Sequence, residues 1–593
     1  MFTPQLRIPE QKAISASYQG VLPDEIAVQN WLNSRDHTDK QGFLDTLVSL
    51  NRVQCKPSIR MGIMKLIDTE IEKELDDLFN KTKLITFPVN EEYQVLSDTM
   101  QHLLLESSLA YQIIISDIAA NEDYVSQYLG SLLPESLFMA LFYLSRLLVE
   151  RFQLYLSEPA YVWQELNQLY LLAERIGAQE NEVRMHTSIK NKYLQIVILR
   201  LLNPYRMMHL EARKIYQLLE KWAEQCEIVG YVQQKPENDF VVNLLSDFPP
   251  HHFEKDNDSK ENNAGMFEGR VLKMNKLRTY LKNYLAQIEH QKQSHVLSYQ
   301  ARMHNDMFQR IDNEMRRHQE RSQERSFVGN NIKLLSGLRA CHHFISDRKA
   351  FEPQAEIDAR LQQKLEENQH RDDSGINLIS LLEEEKLLNK MNPMGELQSI
   401  NPFLKESDVM GDAWDRVYAS SVIHANVNET QKQLNSSLKE ENWRQKNESA
   451  HGMLLVSKND IEMSIAVGML VAYRLSVEKA YCLAVVKWLR LNPRKGMAIG
   501  VKLIAVQSRA IAVKGETGAG AGGEFQRAFL ISENDTQGKG GKLHLIVSAG
   551  IYDKGSILKV WHNNKLNRVQ ITQILLATDS FKQVAFSVMG KKK

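Results

Sequence analysis

Three residues between positions 447 and 452 have the types and spacing of a contact loop for a small polar ligand. Asn447, Ser449 and Gly452 form the pattern N-x-S-x-x-G, just before a short apolar run. An amide and a hydroxyl can make short polar contacts to a base or a phosphate, and a glycine lets backbone approach closely or adopt a positive φ. The alternative is a plain polar turn that enters a strand.

Arginines at every fourth position lie far upstream of this loop. Arg317 and Arg321 fit the pattern R-x-x-x-R, and so do Arg321 and Arg325. Guanidinium groups bind phosphate in a bidentate manner, and they can also donate to guanine O6 and N7 or stack on a base. The alternative is a solvated helix face, on which these arginines and Arg316 alternate with Glu314, Glu320 and Glu324.

The segments around these two groups resemble the PilZ domain, a bacterial β-barrel receptor for cyclic di-GMP. The resemblance rests on N-x-S-x-x-G, on "AVVKWLR" (484–490), on "GMAIGVKLI" (496–504) and on the strand-like "SFVGNNIKLLSG" that follows Arg325. The family pairs R-x-x-x-R with [DN]-x-S-x-x-G about one strand apart. Here a polar insertion separates them, so we expect one barrel whose first strand is distant in sequence. The resemblance implies cyclic di-GMP contacts by Arg317, Arg321, Arg325, Asn447, Ser449 and Gly452.

The elements that must position these residues predict an α+β protein with several domains. Residues 1–235 contain helix after helix at apolar three- and four-residue spacing, which is typical of a bundle or short solenoid. We expect a linker with a short strand at 236–265 and a connecting helix at 266–315. The PilZ-like antiparallel barrel is predicted at 316–345 plus 441–512, around a polar insertion at 346–440. Short strands predict a second small β domain at 513–593.

Composition excludes several classes of function. Lys+Arg and Asp+Glu are equal at 73 each in 593 residues, so a global grip on a nucleic-acid polymer is not expected. The four cysteines form no C-x-x-C pair, which argues against a structural metal or disulfide framework and fits a reducing cytoplasm. The N-terminus has no signal-peptide pattern, and "SLFMALFYLSRLLV" is predicted to be too short to span a membrane.

The predicted function is therefore a cytoplasmic bacterial receptor that is not an enzyme and needs no cofactor. Cyclic di-GMP is the predicted ligand, and an unidentified protein partner would respond through the helical domain. No G-x-S-x-G or H-E-x-x-H element points to catalysis, and the adjacent His342 and His343, expected on a strand, would face opposite sides. The main alternative is a scaffold whose barrel no longer binds nucleotide. A helical nucleic-acid binder using the basic 302–325 stretch is a weaker one.

Overall fold

The amino-terminal third of the chain is helical, as its apolar periodicity predicts. The computed structural model describes residues 3–589, apart from 17, 84, 185, 232–239, 254–267, 295–298, 317–325, 328, 370–438, 450–451, 458–460, 476–479, 493–495, 518–522 and 533–541. Within those residues the helical domain contains α1 (Glu25–Ser34), α2 (Lys40–Leu50), α3 (Pro57–Thr82), α4 (Glu91–Ala119), α5 (Glu122–Tyr128), α6 (Leu132–Gln153), α7 (Val162–Arg175), α8 (Ile189–Leu201) and α9 (Glu211–Trp222). A short hairpin, β1 (Glu182–Arg184) and β2 (Thr187–Ser188), precedes α8.

Helix α6 is the central helix of this domain. Its sequence is apolar nearly all round, so other helices must cover every side of it. It packs on α4, α8 and α9. In the described chain α6 is long and apolar enough to cross a membrane, contrary to our prediction, and a second span results only if the sharply bent pair α4–α5 is counted. However, 78% of its most apolar window is buried inside the protein, which is typical of a core helix.

A small sheet and two helices connect the helical domain to the first barrel. Strands β3 (Glu227–Gly230), β4 (Phe240–Asn243), β5 (His251–His252) and β6 (Gly269–Lys273) form a sheet in the order β3-β6-β4-β5. Helices α10 (Asn275–Ser294) and α11 (Tyr299–Arg316) follow. The single helix expected over 266–315 is therefore wrong in two respects. Strand β6 takes its start, because long-range pairing with β3 and β4 holds it there, and two helices follow instead of one.

The middle barrel closes from six antiparallel strands that come from two distant parts of the chain. Its strands are β8 (Asn331–Ser336), β9 (Glu441–Ser449), β10 (Gly452–Val456), β11 (Leu470–Arg474), β12 (Cys482–Asn492) and β13 (Gly496–Ala505), in the ring order β8-β9-β10-β13-β12-β11. A further short strand, β7 (Ser326–Phe327), pairs with β9 beside β8. Buried Trp443, Val486 and Ile499 continue the apolar core of the helical domain.

The segment after β8 differs from its prediction. Gly337 has a φ of 84°, and the chain then forms the helix α12 (Leu338–Ile345) instead of a strand. His342 is buried and donates from Nε2 to the carbonyl oxygen of Ile511 at 3.0 Å, whereas His343 is partly exposed. Helix α13 (Pro353–Gln369) opens the predicted insertion, and Glu356 accepts a hydrogen bond from the Trp561 indole at 2.8 Å.

The last six strands form a second closed barrel. They are β14 (Ser508–Thr517), β15 (Gln526–Ser532), β16 (Leu543–Ser548), β17 (Ile557–His562), β18 (Lys565–Ala577) and β19 (Phe581–Val588), in the ring order β14-β15-β16-β19-β18-β17. The boundary predicted after residue 512 lies inside β14. The segment "RAIAVKG" therefore belongs to this barrel, because β14 pairs with β15 and β17 and not with β13.

Candidate functional site

The hairpin of β9 and β10 holds the N-x-S-x-x-G residues at one end of the middle barrel. Ser449 and Gly452 are paired across the turn, and the Ser449 hydroxyl donates to the carbonyl oxygen of Gly452 at 3.2 Å. A Cβ on Gly452 would lie 2.5 Å from the carbonyl oxygen of Val501 on β13. Glycine is thus required here for the close approach of a neighbouring strand, a structural role that holds whether or not a ligand is bound.

Strand β9 alternates between buried and exposed side chains, and the buried set becomes polar towards this hairpin. Trp443, Gln445 and Asn447 are buried, whereas Arg444 and Lys446 are exposed. Within the described part of the chain, no group is hydrogen-bonded to the side-chain amide of Asn447. Asn447 is 9% exposed, and its amide is not among the fully buried polar atoms that lack a partner, so it keeps some contact with solvent at the barrel end, where a ligand could replace water.

Strand β7 lies directly beside the Asn447 position. Ser326 pairs with Glu448, and Phe327 pairs with Asn447. Arg317, Arg321 and Arg325 themselves lie outside the described residues. They occupy the chain between Arg316, the last residue of α11, and Ser326, the first residue of β7. In the chain, the nine residues 317–325 therefore follow α11 directly. Arg325 comes two residues before Phe327, which is the strand partner of Asn447.

Helix α11 is anchored to the helical domain. Met307, Ile311 and Met315, which lie four residues apart along the helix, are buried, and Met315 accepts a hydrogen bond at its carbonyl oxygen from Arg278 Nη2 at 3.0 Å. Two ion pairs complete the contact. Arg206 Nη1 lies 2.9 Å from Glu314 Oε1, and Arg310 is paired with Glu211.

A cavity of about 400 Å³ lies where α11, the helical domain and both barrels meet. This volume is in the range of small-molecule pockets. Lys502 on β13 lines the cavity and is also the strand partner of Gly452, so the cavity extends to the strand beside the motif. Gly468, which also lines the cavity, lies close to both the helical domain and the C-terminal barrel. A Cβ there would lie 3.2 Å from Met208 Cε and 3.3 Å from Thr578 Cβ.

Sequence reasoning missed two residues beside the motif, Phe327 and Lys502. Phe327 is 91% exposed, and its position two residues after Arg325 is a signal that the sequence did contain. Lys502 is connected to Gly452 only by strand register, which no local pattern reveals. Among the described residues no group of three or more His, Cys, Asp or Glu side chains could hold a metal ion.

Comparisons with known proteins match nearly the whole chain in three consecutive segments. Residues 27–234 match the N-terminal domain of the cyclic-di-GMP receptor FimW, residues 240–509 match its middle PilZ domain, and residues 511–589 match the FimW C-terminal beta-barrel domain. The cyclic-di-GMP receptor FimW of Pseudomonas aeruginosa is 20% identical over 526 residues, which cover 84% of this chain and 80% of that protein. No solved structure matches the chain. The three domains and their order show that the chain belongs to the FimW family of PilZ-domain proteins.

Proposed function

We propose that this chain is a receptor for cyclic di-GMP and that the ligand binds at the hairpin end of the middle barrel. The observation that carries the proposal is the pairing of β7 with β9. It brings the chain that immediately follows Arg325 to the strand position of Asn447. The name of the Pseudomonas relative and its PilZ domain support the same ligand.

The chemistry of the ligand suits the residues proposed to bind it. Cyclic di-GMP carries two phosphates and two guanines. Arg317, Arg321 and Arg325 would bind phosphate and guanine through their guanidinium groups, and Asn447 and Ser449 would add hydrogen bonds to base or phosphate. No reaction is needed for this role, so we propose a receptor without catalytic activity.

We further propose that helix α11 transmits ligand binding to the helical domain. The arginine segment starts where α11 ends, and α11 is tied to α9 and to the turn before it through Glu211 and Arg206. A ligand that binds the arginines more tightly in one arrangement of this segment shifts the equilibrium towards that arrangement. A protein partner that binds the helices would then detect the change.

A cytoplasmic location also fits the proposal. The four cysteines are all free. Free thiols persist in a reducing compartment, whereas secreted proteins commonly pair them. Fractionation of the native host would test this, with the protein expected in the soluble cytoplasmic fraction.

Isothermal titration calorimetry with cyclic di-GMP tests the proposed function. We expect saturable heat from the wild type and at least about tenfold weaker binding by Arg325→Ala, because a charge-assisted contact contributes roughly 1.5–3 kcal/mol. Arg568→Ala is a matched control. Arg568 lies in the second barrel, where its Nε is 2.6 Å from Glu516 Oε2, and its loss should leave affinity unchanged. No heat from the wild type at high micromolar ligand would instead favour the scaffold function.

A further inference from the structure

Phe327 is an aromatic residue that folding alone does not explain. It is 91% exposed, the highest value among the large apolar side chains that the structure describes. Phenylalanine normally gains stability by removing its ring from water. A single exposed apolar residue is common, but this ring lies two residues after Arg325 and on the strand beside the N-x-S-x-x-G hairpin.

The strand register gives the ring a defined neighbour. Phe327 and Asn447 are directly paired in the antiparallel contact of β7 with β9. Side chains that are directly opposite in such a pair lie on the same face of the sheet. The face therefore carries an exposed phenyl ring next to an amide that has no hydrogen-bond partner among the described residues.

We propose that Phe327 is a stacking platform for one guanine of the ligand, with the Asn447 amide hydrogen-bonded to the edge of that base. The proposal rests on the proposed function, since it assigns a base contact within the same site. A flat aromatic ring supplies stacking to a nucleobase, and an amide has both a donor and an acceptor for the base edge. The arginines are then available for the phosphates.

Salt distinguishes these two kinds of contact. Contacts between guanidinium groups and phosphates weaken as salt is added, because counterions screen both partners. Stacking on an uncharged ring carries no such screening. Loss of Phe327 should therefore weaken binding by a similar factor at low and at high salt, whereas loss of Arg325 should matter more at low salt.

Titrations of five proteins, among them the wild type and Arg325→Ala, with cyclic di-GMP at about 50 and 500 mM salt (roughly twofold below and fivefold above the ionic strength at which the Debye length is 10 Å) test the proposal. We expect Phe327→Ala to weaken binding roughly tenfold at both salts. Phe327→Trp should bind like the wild type and should add ligand-dependent quenching of indole fluorescence. Phe248→Ala removes a 63% exposed ring that lies outside the barrel, and it should change nothing.

Each outcome of this experiment has one meaning. Because Phe327 is so exposed, the melting temperature of ligand-free Phe327→Ala should equal that of the wild type, so weaker binding would not reflect misfolding. Wild-type binding with unchanged affinity in Phe327→Ala would overturn the stacking proposal and leave the proposed function intact. Absence of binding by the wild type would overturn both.

Discussion

The middle and C-terminal barrels share six antiparallel strands and full closure, but they differ at their interiors and in their chain order. The interior of the C-terminal barrel is mainly apolar, with Val513, Leu545 and Leu558 in its core and a buried Lys582 paired with Asp553, and its strands follow one another in the chain. In the middle barrel β8 and β9 are separated by residues 337–440, and β9 adds buried Gln445 and Asn447 next to Trp443.

The two barrels share their closed architecture, so the features of the candidate site must be those that only the middle barrel has. Buried polar groups weaken an apolar core unless they have partners. In the C-terminal barrel the buried Lys582 ammonium donates to the Tyr552 carbonyl and to Asp553, whereas the described residues give the Asn447 amide no such partner. The middle barrel combines such an amide with β7 and the arginine segment. Closure gives both barrels their stability, whereas polar residues at one end support a binding role for only one of them.

The largest effect should come from the core that the middle barrel shares with the helices. Trp443 is 2% exposed, and Trp443→Ala should lower the free energy of unfolding by about 3–5 kcal/mol. Leu545→Ala, at a position 1% exposed in the separate core of the C-terminal barrel, should cost about 2–5 kcal/mol. Urea unfolding followed by circular dichroism should show the helical transition shifted by the first substitution only. If the midpoint of the helical unfolding transition shifted equally in both variants, the core of the C-terminal barrel would not be separate from the core that the middle barrel shares with the helices.

A pH effect should arise at the contact between the barrels. Burial lowers the pKa of His342 to about 4, against a hydrogen bond to Ile511 that raises it, and Arg527 and His343 lower it further. The unfolded chain takes up a proton near pH 6.5, whereas the folded protein does not until about pH 4. Stability is therefore full above pH 6.5 and falls as the pH drops towards 4, by about 3 kcal/mol at most.

Unfolding free energies measured from about pH 7.5, roughly one unit above the ordinary histidine pKa, down to about pH 4, the pKa of His342 in the folded protein, check this prediction. His342→Gln removes the titrating group and should flatten the dependence, while an amide can still donate to the Ile511 carbonyl. His343→Gln, on the same helix, is the matched control and should keep the slope. A slope that survives in His342→Gln would assign the pH dependence to other groups.

Gly468, at the junction of the three domains, should give a smaller effect. Its φ of 86° disfavours any side chain, and a Cβ would also press on Met208 and Thr578. Gly468→Ala should cost about 1–2 kcal/mol for the backbone alone and more for the contacts. Gly177→Ala is the control, since its φ is 71° with nothing within 4 Å of the added Cβ. Equal losses of thermal stability in Gly468→Ala and Gly177→Ala would mean that Met208 and Thr578 can move aside without a cost in stability.

The smallest effects should come from hydroxyl groups in the two barrels' turns. The Thr578 hydroxyl donates to the Phe581 carbonyl at 2.9 Å and accepts from the Phe581 amide at 3.0 Å, so Thr578→Ala should cost about 1–2 kcal/mol. Ser449 has one such bond and should cost about 0.5–1 kcal/mol. Calorimetry should show weaker cyclic di-GMP binding for Ser449→Ala alone. Weaker binding in Thr578→Ala would point to the cavity instead.

Local patterns predicted much of this fold, but long-range pairing was beyond them. The helix expected over 266–315 is present as α10 and α11, with Met307, Ile311 and Met315 four residues apart on the buried face of α11. Short β-branched runs identified most barrel strands. Strand β6 and helix α12 were missed because neighbours distant in sequence stabilise the first, and a turn at Gly337 starts the second. The register that joins Phe327 to Asn447 depends on barrel closure, so the sequence suggested a shared site but could not supply its geometry.

Hydrogen exchange with and without cyclic di-GMP tests the central claim most directly, that two distant pieces of chain bind one ligand together. We expect saturating ligand to slow exchange in peptides that cover 317–327 and in those that cover 444–455. Protection of both segments should rise with ligand concentration along the same binding curve. Peptides from 508–588 should exchange unchanged. Protection of only one of the two segments, or protection confined to the C-terminal barrel, would contradict the account.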